Sequence, residues 1–150
     1  MTQAANLAAF ANNLNTYGSP VLENILETTT VSATAATGTV NFDVETQSIL
    51  YYTTNASANW TLNVRYSSTT SLNTVLATGQ TITISFLVTQ GSTAYYQSAL
   101  QIDGASVTPK YQNGTAFTAG NTSSIDVYTL AITKTASATY TVLISQTKFA

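Results

Sequence analysis

The sequence contains no cysteine and no histidine. Without cysteine there is no disulfide and no thiolate nucleophile. Without histidine the commonest metal ligand and the commonest base at neutral pH are both gone. A Ser/His/Asp or Cys/His catalytic set is therefore excluded. Charge is scarce too: charged residues make up 7% of the chain, against the usual quarter. The four basic residues, Arg65, Lys110, Lys134 and Lys148, are scattered, which is too little positive charge to neutralise the phosphates of a nucleic acid. No apolar run approaches the ~20 residues of a membrane-spanning helix, and the first residues lack the basic region of a secretory signal. These absences lead to an expectation of no nucleic-acid partner, no membrane partner, no cofactor, no metal and no enzymatic activity.

What fills the chain is 44% hydrophobic residues set among threonine, serine and asparagine. Enough apolar side chain is present in 150 residues to bury a core as one domain. The low charge argues against disorder, because disordered chains are typically charged and poor in apolar residues. It also lets many copies pack closely.

The stretch around which the chain is organised is Gly79–Gly91, GQTITISFLVTQG. Ile82, Ile84, Phe86 and Val88 recur at a period of two, with Thr81, Thr83, Ser85 and Thr89 opposite. β-branched residues suit a pleated surface, and this alternation predicts a central strand of an antiparallel sheet with one face on a core. The same grammar recurs in Val40/Phe42/Val44, in NWTLNVRY (59–66), in Ala94–Asp103 through Tyr96, Leu100 and Ile102, in IDVYTLAI (125–132) and in YTVLI (140–144). Ile49–Tyr52 is a short apolar run that suits a strand buried on both faces. Leu72, Val75 and Leu76 suggest one helical turn or a bulged crossover. Asp103-Gly104 predicts a type I′ hairpin, and Pro109 the end or edge of the strand after it. The expected fold is all-β: an antiparallel, jelly-roll-like β-sandwich of about eight short strands over residues 37–150.

Residues 1–36 read as an arm and linker. Met1–Asn15 is the one helix candidate, with Thr2 as N-cap and an i, i+3, i+4, i+7 stripe of Leu7, Phe10, Ala11 and Leu14. Tyr17–Pro20 breaks it, and Val21–Leu26 follows as a second short helix or an extended arm. A helix this short needs a surface to dock on. Leu7, Phe10, Leu14, Val21, Leu22, Ile25 and Leu26 are therefore the candidate partner-binding residues, with packing on the chain's own sandwich as the alternative. A weak first strand is expected around Thr29–Ala35.

Candidates for chemistry are few. Asp43 and Glu45 share one face of a strand and, with Asp126 or Asp103, could in principle pair for glycosidic cleavage or hold Ca²⁺; two acids at i, i+2 are better explained as solvated strand-edge groups. Trp60 and Tyr66 lie on the apolar side of their strand and are expected in the core. The pleat sends the two rings of Tyr51-Tyr52, and of Tyr95-Tyr96, to opposite faces. The loop Lys110–Asn121 is the expected binding tip. Tyr95, Tyr96, Tyr111 and Phe117 accordingly form the candidate exposed contact surface, suited to a receptor or a glycan.

The series NFDVETQSILYYTTNASANWTLNVRYSS, SLNTVLATGQTITISFLVTQGSTAYYQSALQIDG and TYTVLISQTKFA resembles a domain of virion structural proteins of tailed phages of aquatic bacteria, including cyanophages. The resemblance spans roughly three quarters of the chain and rests on strand phrasing, with no catalytic signature. It implies a β-sandwich in particle-surface or tail-appendage proteins. No long shaft or repeat, as a tail fibre would carry, is visible. A short arm before one sandwich is what a head decoration (cement) protein needs. The resemblance thus implies a capsid decoration protein on the virion surface, with the major capsid protein or other virion proteins as partners and a homo-oligomer, a trimer by analogy, as its state. The alternative is a tail fibre or tail-appendage protein with a receptor- or glycan-binding sandwich.

Overall fold

Among the described residues, ten strands form two sheets that face each other across an apolar core, the first six alternating between them. They are β1 (Thr29–Ala35), β2 (Gly38–Asp43), β3 (Ile49–Thr54), β4 (Trp60–Arg65), β5 (Thr81–Thr89), β6 (Gln97–Ile102), β7 (Ala105–Ser106), β8 (Lys110–Tyr111), β9 (Ile125–Ala136) and β10 (Thr139–Phe149). A single helical turn, α1 (Leu72–Val75), precedes β5, and a 3₁₀ turn at Gln112–Gly114 follows β8. The computed structural model describes residues 27–150. The arm residues Leu7, Phe10, Leu14, Val21, Leu22, Ile25 and Leu26, and the helix expected over Met1–Asn15, lie outside the described residues.

The six-stranded sheet runs β1-β3-β5-β9-β10-β8 and the four-stranded sheet β2-β4-β6-β7. Both are mixed, which corrects the expectation of antiparallel sheets in jelly-roll order. β1, β3 and β5 are mutually parallel neighbours, as are β2, β4 and β6; β9 is antiparallel to both β5 and β10. The reason lies in the connections. After each of the first five strands the chain crosses to the other sheet, so a strand returning to its own sheet runs in the same direction as before. Parallel neighbours normally need a crossover of a dozen or more residues, and here the intervening strand of the opposite sheet supplies it. A half-buried strand shows the same period-two pattern in either orientation, so the alternation carries no information on direction.

The core is built from the inward-facing rows. Ile84, Phe86 and Val88 of β5 meet Tyr128, Leu130 and Ile132 of β9 and Val142 and Ile144 of β10. Val40 and Phe42, Trp60, Leu62 and Val64, and Leu100 and Ile102 close it from the other sheet. Trp60 stands in the middle, edge-on to Phe86 at 6.1 Å and to Tyr128 at 5.5 Å between ring centroids. Tyr52 extends this series beyond Phe86 at 5.1 Å, and Phe117 and Tyr111 extend it beyond Tyr128 at 5.4 and 5.0 Å. Six rings thus form one edge-to-face chain through the interior, the geometry that ring quadrupoles favour.

Several local features match their sequence signals. Asp103 and Gly104 have φ of 52° and 79°, the left-handed pair of a type I′ turn, and they join β6 to β7 in a two-residue hairpin. Ser71 caps α1, its Oγ accepting from Thr74 N at 3.1 Å, and Asp103 supplies a second cap, its two oxygens accepting from Leu72 N at 2.7 Å and Asn73 N at 3.0 Å. Other features depart from expectation. Ile49 and Tyr51 are half-buried on the outer side of β3, so only Leu50 and Tyr52 face the core. Tyr96 is not in phase with Leu100 and Ile102. A register shift opposite Trp60/Thr61 inserts Ser98 as an extra residue and places Gln97 inward instead, as a β-bulge does. The strands of the last hairpin run past the expected 125–132 and 140–144: β9 continues to Ala136, and β10 spans Thr139–Phe149.

Candidate functional site

The two outer faces of the sandwich differ in chemistry. On the six-stranded sheet the pairing register lines up Val31, Tyr51, Leu87, Val127 and Thr147 in one row across five strands. Beside it lie Ile49, Ser85, Thr129 and Ser145, and at one end Ile125 pairs with Phe149. β1, β3 and β5 contain no charged residue. Asp126 and Lys134 of β9 are turned inward and buried, and Lys148 alternates with the outward Thr147 and Phe149. The outer face of these five strands is therefore uncharged, and Val31, Leu143 and Phe149 are more than half exposed on it or at its rim. The four-stranded sheet presents polar pairs instead. Asn63 donates to Asn41 Oδ1 at 2.8 Å, Arg65 pairs with Asp43, and Thr39 neighbours Thr61.

Polar groups also occupy the two ends of the interior, and period-two parity explains how they arrive there. Gln90 follows Ile84, Phe86 and Val88 on the inward row of β5, and Asp126 and Lys134 bracket Tyr128, Leu130 and Ile132 on that of β9. Asp126 is fully buried. Its Oδ2 accepts from Gln90 Nε2 at 3.1 Å, Asn121 N at 3.1 Å and Gln146 Nε2 at 3.2 Å, while Oδ1 is buried without a partner. Burial pushes its carboxyl above the ordinary value, although these donors and Lys148 pull the other way. Gln90 also clasps the backbone of Tyr95, donating to its carbonyl at 2.7 Å and accepting from its N–H at 3.0 Å. Gln146 reaches Tyr128 Oη at 3.0 Å and Ala119 O at 3.2 Å. Tyr128 is itself buried, which raises its phenol above the ordinary value, with the neighbouring Asp126 charge adding to the shift. The cluster ties the segments 91–96 and 119–124 to the strand ends. At the other end Lys134 Nζ donates to the carbonyls of Asn73 and Leu76 and so caps the C-terminal end of α1.

Gly120 sits against the first of these clusters. A Cβ there would overlap the Tyr95 carbonyl oxygen and lie 2.8 Å from Asp126 Oδ2 and 2.9 Å from Gln90 Nε2. One obstacle is backbone, so the contact is not relieved by a rotamer change. Gly120→Ala is expected to destabilise the protein by about 2 kcal/mol, in the range for overpacking a buried site. Chemical denaturation checks it; an unchanged midpoint would show that the 119–124 segment yields freely.

The sequence-based candidates fall into separate places. Tyr95, Tyr111 and Phe117 are half-buried and pack against the core. Tyr96 is half-buried, with its backbone N–H bound to Asn59 Oδ1 at 3.1 Å. Tyr111 and Phe117 touch each other and close one end of the ring series, whereas Tyr95 is held by Gln90. The carboxylates are each engaged separately: Asp43 with Arg65, Asp103 with α1, Asp126 with the buried amides. Glu45, beyond the end of β2, is exposed. Among the described residues no three carboxylates gather into a group able to hold a metal ion. Sequence reasoning missed Gln90, Gln146 and Lys134, although parity with their apolar neighbours was the signal available. It also missed the uncharged outer row, because that row joins five strands and emerges only from their register.

No protein-family model, curated sequence or solved structure gives a significant match to this chain. What the described geometry offers is contact area. One broad face is uncharged over five strands, with Lys110 of β8 exposed at its edge beside Leu143; the opposite face is polar, and the buried polar groups serve to hold loops.

Proposed function

We propose that this chain is a structural protein of a tailed-phage virion, most specifically a decoration protein that binds the outside of the capsid. The observation that carries the reading is the pair of unlike faces: a five-strand surface without charge, edged by Lys110, suits burial in an assembly, and a polar, ion-paired surface suits water. The phrasing of the strands supplies the phage assignment by resemblance. In this reading Leu7, Phe10, Leu14 and Val21–Leu26 form the arm that engages the major capsid protein or neighbouring copies, and the sandwich projects outward. Trimers on capsid quasi-symmetry axes follow by analogy with such proteins.

The test is the copy number of the chain in purified virions, measured by quantitative mass spectrometry against the major capsid protein. A number equal to the capsid protein's, or a simple fraction of it, supports a decoration layer. A few copies per particle would move the protein to the tail. Absence from the particle would overturn the virion reading.

A further inference from the structure

We infer that the outer face formed by β1, β3, β5, β9 and β10 is a self-association surface, and that its occupant is a second copy of this chain. The inference goes beyond the proposed function: the contact is two-fold, and so separate from the trimer contact that the analogy implies.

Charge argues for a copy rather than a foreign partner. In a self-complementary contact, surfaces meet their own kind, so any charge near the symmetry axis would face itself. The row Val31, Tyr51, Leu87 and Val127 brings no such charge, and two copies approach here without electrostatic cost. Pairing through the other sheet would instead strip water from Asp43 and Arg65, a cost the ion pair recovers poorly.

Area argues the same way. Five strands about 4.8 Å apart, with roughly nine residues each at ~3.3 Å, give a footprint of about 700 Å² before side-chain relief, close to the ~800 Å² each partner contributes to a standard interface. The composition also mixes apolar and hydroxyl side chains: the row of Val31, Tyr51, Leu87 and Val127 runs beside the row of Ser85, Thr129 and Ser145. Tyr51 lies next to Leu87 in the row, a residue type suited to anchoring such a contact.

The absence of cysteine makes the test direct, since one introduced thiol reports one place. The full chain carrying Leu87→Cys, in the centre of the face, is expected to form a covalent dimer under mild oxidation. Thr39→Cys, on the outer side of the four-stranded sheet, is expected to stay monomeric on denaturing gels. In parallel, the wild-type chain is expected to sediment as an oligomer at micromolar concentration, and Val127→Lys as a monomer with unchanged circular dichroism and a thermal midpoint that no longer depends on protein concentration. A monomeric wild type would overturn the inference, as would an oligomer that Val127→Lys leaves intact. If instead Val127→Lys leaves the mass unchanged while Phe10→Asp dissolves the oligomer, the arm rather than the sheet joins the copies, and the inference also fails. None of these outcomes depends on the virion. An oligomer of this kind in a protein absent from particles would leave the inference standing and sink the decoration reading.

Discussion

Trp60→Ala is expected to lower the stability of the sandwich by about 4 kcal/mol, the range for removing a large aromatic side chain from a core. Trp60 is 1% exposed and stands between Phe86 and Tyr128. It belongs to the four-stranded sheet, while both of its ring neighbours belong to the six-stranded one. Its loss therefore removes contacts between the layers rather than within one of them. The edge-to-face pairs add roughly 0.5–1.5 kcal/mol each beyond burial. Its indole N–H is buried without an acceptor, so deletion strips no hydrogen bond, and the whole cost is cavity and contact. For a domain of this size each kcal/mol moves the melting point by about 2–4 °C, so calorimetry should show a fall on the order of 10 °C. Trp60→Phe should recover more than half of it. A drop of only a degree or two would mean that the layers close over the space.

The second large effect is expected at Asp126. Asp126→Ala leaves the Asn121 N–H without its acceptor and removes one partner each from Gln90 and Gln146. An unsatisfied buried donor costs about 1–3 kcal/mol, and the accompanying cavity brings the expected loss to about 3 kcal/mol. Asp126→Asn keeps an acceptor at the Oδ2 position and places an amide where Oδ1 has none, so it should cost far less.

The two variants also separate packing from ionisation. Burial holds the Asp126 carboxyl above its ordinary value, so the folded state keeps its proton at pH values where the unfolded chain has released it. The relative stabilisation is complete below the unfolded value, near 4, and is lost as pH rises through the folded one. Wild-type stability should therefore decline across mildly acidic pH through this group, and Asp126→Asn should remove that component. Urea midpoints measured against pH in both proteins decide the matter. Parallel profiles would show that Asp126 titrates as it does in the unfolded chain. Limited proteolysis adds an independent reading, because Asp126→Ala should expose the 112–124 segment to cleavage ahead of global unfolding.

How much of this was legible beforehand depends on the range of the interaction involved. The alternation in 81–89 marked β5, Asp103-Gly104 marked its hairpin, Leu72–Leu76 marked a helical turn, and the aliphatic side of 59–66 marked Trp60, Leu62 and Val64 as core. These are contacts within about ten residues, where propensity, parity and turn chemistry act directly. The phase of Tyr96 was misread because Ser98 is bulged opposite β4, and no residue of its own segment records that. Gln90, Asp126 and Gln146 carried a readable parity. Their convergence depends on three strand ends meeting across 36 and 20 residues of chain.

By itself, then, the sequence determined an all-β chain, most of its strand positions, which side of each strand is apolar, and the exclusion of thiol and imidazole chemistry. Only the tertiary structure decided strand direction, sheet order and the character of each outer face. A pleat reports burial every second residue whatever runs beside it, whereas direction and neighbours are set by where each crossover lands. Val31, Tyr51, Leu87 and Val127 are unremarkable in four separate strands. Pairing register sets them in one row, and that row is the surface on which the proposed assembly rests.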